Sequence, residues 1–360
     1  MKKTILHIID NLGRGGAETM LVTVTKQLNE YNNIIVTLHP ENEFVEDIKC
    51  DQLICLNLTS NFLIPAAALK LRKIIKENKV DMVHSHLFWS TIIARLGTPK
   101  KIPLITTIHA FVASALEYRP WRMYMAEKLT YKIRKSTIVT VAEGALNEYF
   151  SFIKVKPHKA FYLYTFVDTA VFNEEDAIEK NEDAATFRIV SVGNLKEQKN
   201  QHFLLEAFKE LKNENISLDI YGKGLLEPSL QKMIDEQQLK VILKGQVNDI
   251  QHRIQQYDLF VMSSSYEGFS LSVLEAMALR MPLLLSDIGS FREQCAGTAV
   301  YYNLDNIHDF ISKLLSLKNN REQLNAMGIA AKERVLKNFT LQQHLHRLKS
   351  IYADTLTAAQ

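Results

Sequence analysis

The feature that most constrains this chain is an alternation, run through twice, of short β-branched runs with longer amphipathic stretches. In the first pass Thr4–Ile9, Asn33–Leu38, Val80–His84, Pro103–Ile108 and Thr137–Val141 are expected as strands. Helical patterns fall between them at 17–30, 63–79, 88–96 and 117–135. A strand that returns through a helix to a parallel neighbour produces this order, so the pattern predicts a parallel sheet covered by helices on both faces. The rhythm breaks at Phe172–Ala185, where six of fourteen residues are acidic and little can be buried. That segment is expected to be an exposed linker. The alternation then restarts, with strands expected at Phe187–Val192, Ser217–Tyr221, Lys240–Leu243, Leu259–Met262 and Pro282–Leu285, and helices at 200–213, 225–238, 271–280 and 306–318. The last stretch, about 320–358, is helical and amphipathic. Two doubly wound domains in tandem follow, at 1–170 and 187–340, joined by 171–186 and followed by a helix over 341–360. Ligands of such sheets bind beyond the carboxyl ends of the strands, so a cleft between two facing domains is the expected site.

Composition removes several other classes. A length of 360 residues suits two domains, and 47% apolar residues leave no case for disorder. With 13 glycines and 8 prolines, collagen-like and turn-dense β architectures are excluded. No apolar run reaches the roughly 18 residues of a bilayer span. The N-terminus superficially resembles a signal peptide, but its short apolar run meets His7 and Asp10 without a cleavage site, and a first buried strand is expected. Cys50, Cys55 and Cys295 fit neither a disulfide framework nor a zinc site, and reduced cysteines in a cytoplasmic protein are expected. Residues 1–170 carry 22 Lys+Arg and 15 Asp+Glu, a balance of +7; the remainder carries 21 and 25, a balance of −4. The halves are therefore expected to meet different partners. No basic stripe with interleaved stacking aromatics points to nucleic acid.

Three strand-to-helix junctions carry the chemistry. Gly13-Arg14-Gly15-Gly16 follows the first strand and opens a helix, where exposed amides and the dipole favour an anion. The spacing is neither the dinucleotide fingerprint nor a P-loop, and a tight turn alone is the competing explanation. Glu267 and Glu275 stand eight apart around Gly-Phe-Ser270-Leu271-Ser272-Val273. Two carboxylates suit vicinal diols, and the amides between them suit an anion or sugar oxygens. In Gly193-Asn194-Leu-Lys196-Glu-Gln-Lys199, a lysine beside a helix start is disfavoured unless an anion joins it.

The ordered set of motifs resembles retaining GT-B glycosyltransferases, family 4 (group 1) in particular. It comprises Gly13-x-Gly15-Gly16-Ala-Glu18, Asp81-Met-Val-His84-Ser-His86, Thr107-Ile-His109, Val167-Asp168, Val192-Gly193 to Lys199, Tyr221-Gly222-x-Gly224, Gly245 before Asp249-Ile250, and Tyr257 through Glu267 and Glu275 to Glu293. The resemblance covers nearly the whole chain. It implies two Rossmann-like domains facing across a cleft, with the final helix crossing back to the first domain. It implies transfer of a sugar from a UDP- or GDP-sugar to a hydroxyl of a glycan or lipid-linked acceptor in bacterial surface polysaccharide or glycolipid assembly. Gly15 and Gly16 would present amides to the diphosphate, and Lys199 would neutralise it. Glu275 would hold the ribose, Glu267 the sugar, and His109 would lie near the reacting carbon. Ser270, Leu271, Ser272 and Val273 would meet sugar or phosphate oxygens, Gly222 would shape the base pocket, and Arg14, His84 and His86 would line the acceptor side. Retention without an evident carboxylate nucleophile implies a same-face mechanism.

No Asp-x-Asp occurs, so a metal-bridged diphosphate and any other cofactor are not expected. Amides, helix dipoles and Lys199 are expected to stabilise the leaving group instead. Asn194 stands where the family usually has an arginine, which leaves the diphosphate with one cation fewer. His84, His86 and His109 have spacing compatible with zinc, but no accompanying carboxylate, and cleft-lining or core histidines are expected. The segment 117–135 has six basic residues among Trp, Tyr and Met, which suits an anionic membrane surface at the inner face of the cytoplasmic membrane. An ordinary helix with a basic solvated face and an aromatic core face is the plain alternative. Other readings are a nucleotide-sugar 2-epimerase or phosphorylase of the same fold, and a catalytically weak nucleotide-sugar binding or scaffold protein.

Overall fold

The structure, a computed structural model, describes residues 2–115, 118–173 and 186–357. Most of the acidic stretch expected as a linker lies outside the described residues. The chain divides into two compact units, Met1–Thr165 with Gln342–Gln360, and Phe166–Leu341.

In the first unit β1 (Thr4–Ile9), β2 (Asn32–Thr37), β3 (Gln52–Cys55), β4 (Met82–His86), β5 (Leu104–Ile108), β6 (Thr137–Thr140) and β7 (Lys159–Tyr162) form a parallel sheet in the order β3-β2-β1-β4-β5-β6-β7. The crossovers carry α1 (Gly16–Thr25), α2 (Ile64–Glu77), α3 (Phe88–Gly97), α4 (Trp121–Ile133) and α5 (Glu143–Ile153). Alternate residues of β1 serve opposite cores. Leu6 and Ile8 pack with Ala67, Leu71 and Ile75 of α2, while Ile9 packs with Ala17, Leu21 and Val22 of α1. That two-sided burial is why the strands read as continuous apolar runs.

The second unit repeats the plan. Its parallel sheet has the order β10-β9-β8-β11-β12-β13, from β8 (Phe187–Val192), β9 (Ile216–Tyr221), β10 (Val241–Gly245), β11 (Leu259–Met262), β12 (Leu283–Ser286) and β13 (Val300–Tyr302). Around it lie α6 (Gln201–Glu210), α7 (Glu227–Gln237), α8 (Ile250–Arg253), α9 (Leu271–Ala278), α10 (Gly289–Cys295), α11 (Ile307–Lys318) and α12 (Arg321–Asn338). The last helix, α13 (Leu341–Thr357), lies in the first unit apart from its opening residue. Strand order reverses beside β1 and β4 in one sheet, and beside β8 and β11 in the other, which are the crevice positions of such folds.

Several boundaries differ from the sequence expectation. The fourth strand begins at Met82 rather than Val80 and includes His86. The first helix ends at Thr25, since Asn33 turns its amide onto the carbonyls of Leu28 and Tyr31 and holds that segment as a turn. The stretch after 320 is two helices: Val167 pairs with the backbone of Phe339 and Leu341 and interrupts the ladder between them. Three short strands and three helices, α5, α8 and α10, carry too weak a period to be read in advance. Gln52–Cys55 is one of them, an edge strand whose first half is exposed.

Candidate active site

In the first unit the turn after β1 closes on itself. Asn11 Oδ1 accepts the Gly13 amide at 3.0 Å, and the Gly15 amide donates to Gly13 O at 3.0 Å. Gly15 then caps α1 in extended geometry, and a Cβ there would lie 2.3 Å from Glu18 Oε2. The Glu18 carboxylate thus sits at the helix start, where the dipole favours negative charge. Gly16 is the first helical residue. Arg14 is engaged locally, with Nε 3.8 Å from Glu43 Oε2 and its guanidinium over the Phe44 ring.

Next to this turn is a cluster of histidines, all from the first unit. His84 Nδ1 is 2.7 Å from the Tyr352 hydroxyl, and its Nε2 is 2.7 Å from Thr107 Oγ1. His86 Nδ1 is 3.3 Å from Nε2 of His109, which follows β5. His344 of α13 meets the carbonyl of Tyr164 at 2.7 Å. Burial holds His7, His109 and His344 down at about 4, and His84 and His86 well below the usual histidine value. The imidazoles are neutral at pH 7. The residue after His86, Leu87, has φ +66°, a strained conformation for leucine. Just beyond it, Asp10 accepts the amide and hydroxyl of Ser90. Burial raises the Asp10 pKa, and those hydrogen bonds oppose the rise.

Sequence reasoning grouped His109 with His84 and His86 as the conceivable zinc triad. The three histidines that approach one another are His7, His84 and His86. The misplaced member has a simple cause: β1 and β4 are sheet neighbours with His7 in register with His84, whereas His109 lies past the end of β5. A single histidine inside the apolar run Thr4–Ile9 was the available signal.

In the second unit, the loops after β8 and β11 bring the expected groups together. Lys199 sits in a short 3-10 turn, and its Nζ is 2.7 Å from Glu267 Oε1. Glu267 also accepts from Ser264 Oγ at 2.7 Å and from Gln198 Nε2 at 3.3 Å. Glu275, in α9, has its pKa pushed up to about 7 by burial, against the opposing pull of Lys199. One cation therefore lies within the field of both carboxylates. Asn194 is exposed, and its carbonyl accepts from Gln201.

Two expected donor-site positions have structural duties. The Ser270 amide is bonded to Gln294 Oε1 at 3.0 Å, while Gln294 Nε2 returns to Ser270 O at 2.8 Å. Ser270 thus does not offer its amide to a ligand, and the first-turn amides of Leu271, Ser272 and Val273 lack intrahelical acceptors by position. Gly222 has φ +143°, and a Cβ there would lie 2.1 Å from Gly193 O. Its glycine lets the β9 loop lie on the β8 loop. Ser264, Gln198 and Gln294 had no sequence signal, because each acts only through a partner remote in the chain.

Helix α4 buries polar and aromatic groups together. Its buried members are Glu127, Thr130 and Tyr131, while Trp121, Leu129 and Ile133 are 70%, 49% and 66% exposed. The anchor is polar: Glu127 pairs with Arg95 at 2.8 Å, both side chains fully buried, and Tyr149 donates to Glu127. The plain alternative holds in part: Tyr131 is buried beside Phe150 with Arg95 over its ring, Tyr124 packs edge-on against Phe152, and Arg122 and Lys132 are exposed. No helix among the described residues is long and apolar enough to cross a membrane.

Two parallel α/β units in one chain have the architecture of the GT-B class. The model of glycosyl transferases group 1 matches residues 172–334, and that of glycosyltransferase family 4 matches residues 14–171. The chain belongs to the family 4, group 1 glycosyltransferases, and it is a glycosyltransferase. An Escherichia coli enzyme, UDP-Gal:α-D-GlcNAc-diphosphoundecaprenol α-1,3-galactosyltransferase, is 25% identical over 79% of this chain and 78% of its own length. A Campylobacter jejuni N-acetylgalactosaminyltransferase acting on a diphospho-undecaprenol-linked sugar is 26% identical over 78% of this chain and 79% of its own. Among solved structures, sucrose-phosphate synthase from Thermosynechococcus elongatus superposes with a TM-score of 0.86 at 15% identity over the whole of both chains.

Proposed function

We propose that the enzyme transfers a sugar from a UDP- or GDP-sugar to a hydroxyl of a glycan or lipid-linked acceptor, with retention of configuration and without a metal bridging the diphosphate. The carrying observation is the Lys199–Glu267 pair with Glu275 in the field of the same lysine. Breaking the glycosyl phosphate bond builds negative charge on the leaving diphosphate and positive charge on the sugar. Lys199 neutralises the first, joined by the α9 amides of Leu271, Ser272 and Val273. Glu267 binds sugar hydroxyls and Glu275 the ribose diol. His109, neutral and oriented by His86, lies against the sugar, and Gly222 borders the base pocket. Arg14 is assigned to the acceptor side, whereas His84 and His86 are turned into the first unit, 3% and 6% exposed.

The relatives named above act on undecaprenyl-diphosphate-linked sugars, which supports an acceptor of that class and a role in bacterial surface polysaccharide assembly. The exposed Trp121, Leu129 and Ile133 alternate with Arg122 and Lys132 on α4. That face suits an anionic cytoplasmic leaflet, and we assign it the peripheral membrane contact.

The test is thermal melting against UDP, GDP, ADP, CMP and dTDP with and without EDTA, followed by turnover with the nucleotide that binds. A ligand at 100 times its Kd adds about 2.7 kcal/mol. A single nucleotide that stabilises the protein regardless of EDTA, and an α-linked product from an α-linked donor, are expected. Binding without turnover on any lipid-linked or glycan acceptor would transfer the case to a nucleotide-sugar binding protein, with Asn194 the residue to restore to arginine.

A further inference from the structure

We propose that His7, His84 and His86 hold one imidazole-ligated transition-metal ion of the zinc class inside the first unit. His7 and His84 are register partners on β1 and β4, and His84 and His86 lie two apart on one strand, so the three share a sheet face. One ring nitrogen from each lies within 4.8 Å of the others. Nε2 of His86 and both nitrogens of His7 lack a hydrogen bond of normal geometry among the described residues, with Asn33 the one polar side chain that acts on His7, although His7 and His86 are only 1% and 6% exposed. Buried polar atoms in that state call for an occupant. A cavity of about 30 Å³ lies against them, walled on the helical side by Met20, Leu21 and Val24 of α1.

The chemistry selects the occupant. Three imidazoles without a carboxylate favour zinc, copper or nickel over magnesium or calcium. Their remaining nitrogens are partly oriented already: His86 Nδ1 by His109, and His84 Nδ1 by the Tyr352 hydroxyl. Such outer partners set the tautomer of a ligating histidine. Binding at His84 Nε2 requires Thr107 to rotate its hydroxyl away, and the three nitrogens to draw in to about 3.3 Å of one another, the spacing of tetrahedral zinc. An ion there ties β1 to β4 and, through Tyr352, to α13. A bridging water between His7 and His86 is the rival occupant.

The experiment uses the full chain stripped by a chelator and titrated with Zn²⁺ by calorimetry, with Co²⁺ as an absorbance probe. One equivalent of Zn²⁺, a higher melting temperature with Zn²⁺, and an intense low-coordinate Co²⁺ spectrum are expected. His7→Leu should raise the Zn²⁺ Kd at least tenfold and abolish the zinc-dependent melt shift. Its folding is checked independently by circular dichroism. Less than one equivalent in the wild type, or full retention in a folded His7→Leu protein, overturns the site. If that variant does not fold, the wild-type Co²⁺ spectrum decides, and a weak octahedral spectrum rejects the proposal in favour of water.

Discussion

Lys199 Nζ lies 2.7 Å from Glu267 Oε1, with 14% and 8% of the two side chains exposed. Without a donor, the lysine expected to meet the diphosphate is neutralised by the carboxylate expected to meet the sugar. Donor binding must divide this pair. Lys199→Ala should therefore weaken nucleotide diphosphate binding ten- to hundredfold, about 1.4–2.8 kcal/mol. Glu267→Gln should tighten nucleotide binding severalfold while lowering kcat, because the lysine is released but the sugar contact is lost. Calorimetry with UDP and GDP, paired with kcat, measures both. Unchanged affinity in Lys199→Ala would remove the lysine from the site.

Glu275 makes donor affinity depend on pH. Only its carboxylate form accepts two hydrogen bonds from a ribose diol, and burial has pushed its pKa up to about 7. Nucleotide affinity should fall about tenfold per pH unit below 7 and level off above it. Glu275→Gln should bind more weakly with a flat profile. Stability runs the other way. A carboxyl whose pKa rises on folding contributes fully below its unfolded value, and that contribution is lost as pH climbs through about 7. Denaturant melts of the ligand-free protein at pH 5 and pH 8 should show the wild type losing more stability than Glu275→Gln.

The Arg95–Glu127 pair is fully buried, with Tyr149 donating to the same carboxylate. Burial alone would lower the arginine pKa, and Glu127 and Tyr149 more than offset it, so the net direction is upward. Removing one charge leaves the other buried and alone. Glu127→Ala should cost about 3–5 kcal/mol in urea unfolding. The double change Arg95→Met with Glu127→Leu should recover most of that loss.

Gly222→Ala forces a side chain into φ +143° and against Gly193 O. A loss of about 1–3 kcal/mol is expected, together with weaker nucleotide binding as the β8 loop shifts. Gly289→Ala, with no atom within 4 Å of its new methyl group, should stay within about 0.5 kcal/mol. Equal costs at the two positions would sink the packing account.

Membrane contact through α4 is tested by sedimentation with vesicles containing phosphatidylglycerol. Trp121→Ala with Leu129→Ser should reduce partitioning severalfold without changing turnover on a short water-soluble acceptor. Raising salt should weaken binding of the wild type, since part of the attraction is electrostatic. Partitioning insensitive to both changes would return α4 to an ordinary solvated surface.

The plan of the fold was legible because parallel strands buried on both sides must be apolar throughout, and the helices between them must be amphipathic. The glycine turn after β1, Lys199 and Glu267 were legible for a related reason: each sits at a strand-to-helix junction, where local sequence dictates local geometry, and Glu275 follows within the helix that Glu267 precedes. Edge strands such as Gln52–Cys55 were not, since a half-exposed strand carries little period.

What the chain determined by itself was the order of elements and the residue types waiting at the strand ends. Tertiary structure alone decided which of them meet. It set His7 beside His84 through the pairing of β1 with β4, and took the Ser270 amide for Gln294. It buried Glu127 of α4 against Arg95 and left Trp121, Leu129 and Ile133 of the same helix exposed. These are contacts between residues far apart in sequence. Their energies depend on burial and partner geometry, which no spacing within one segment encodes.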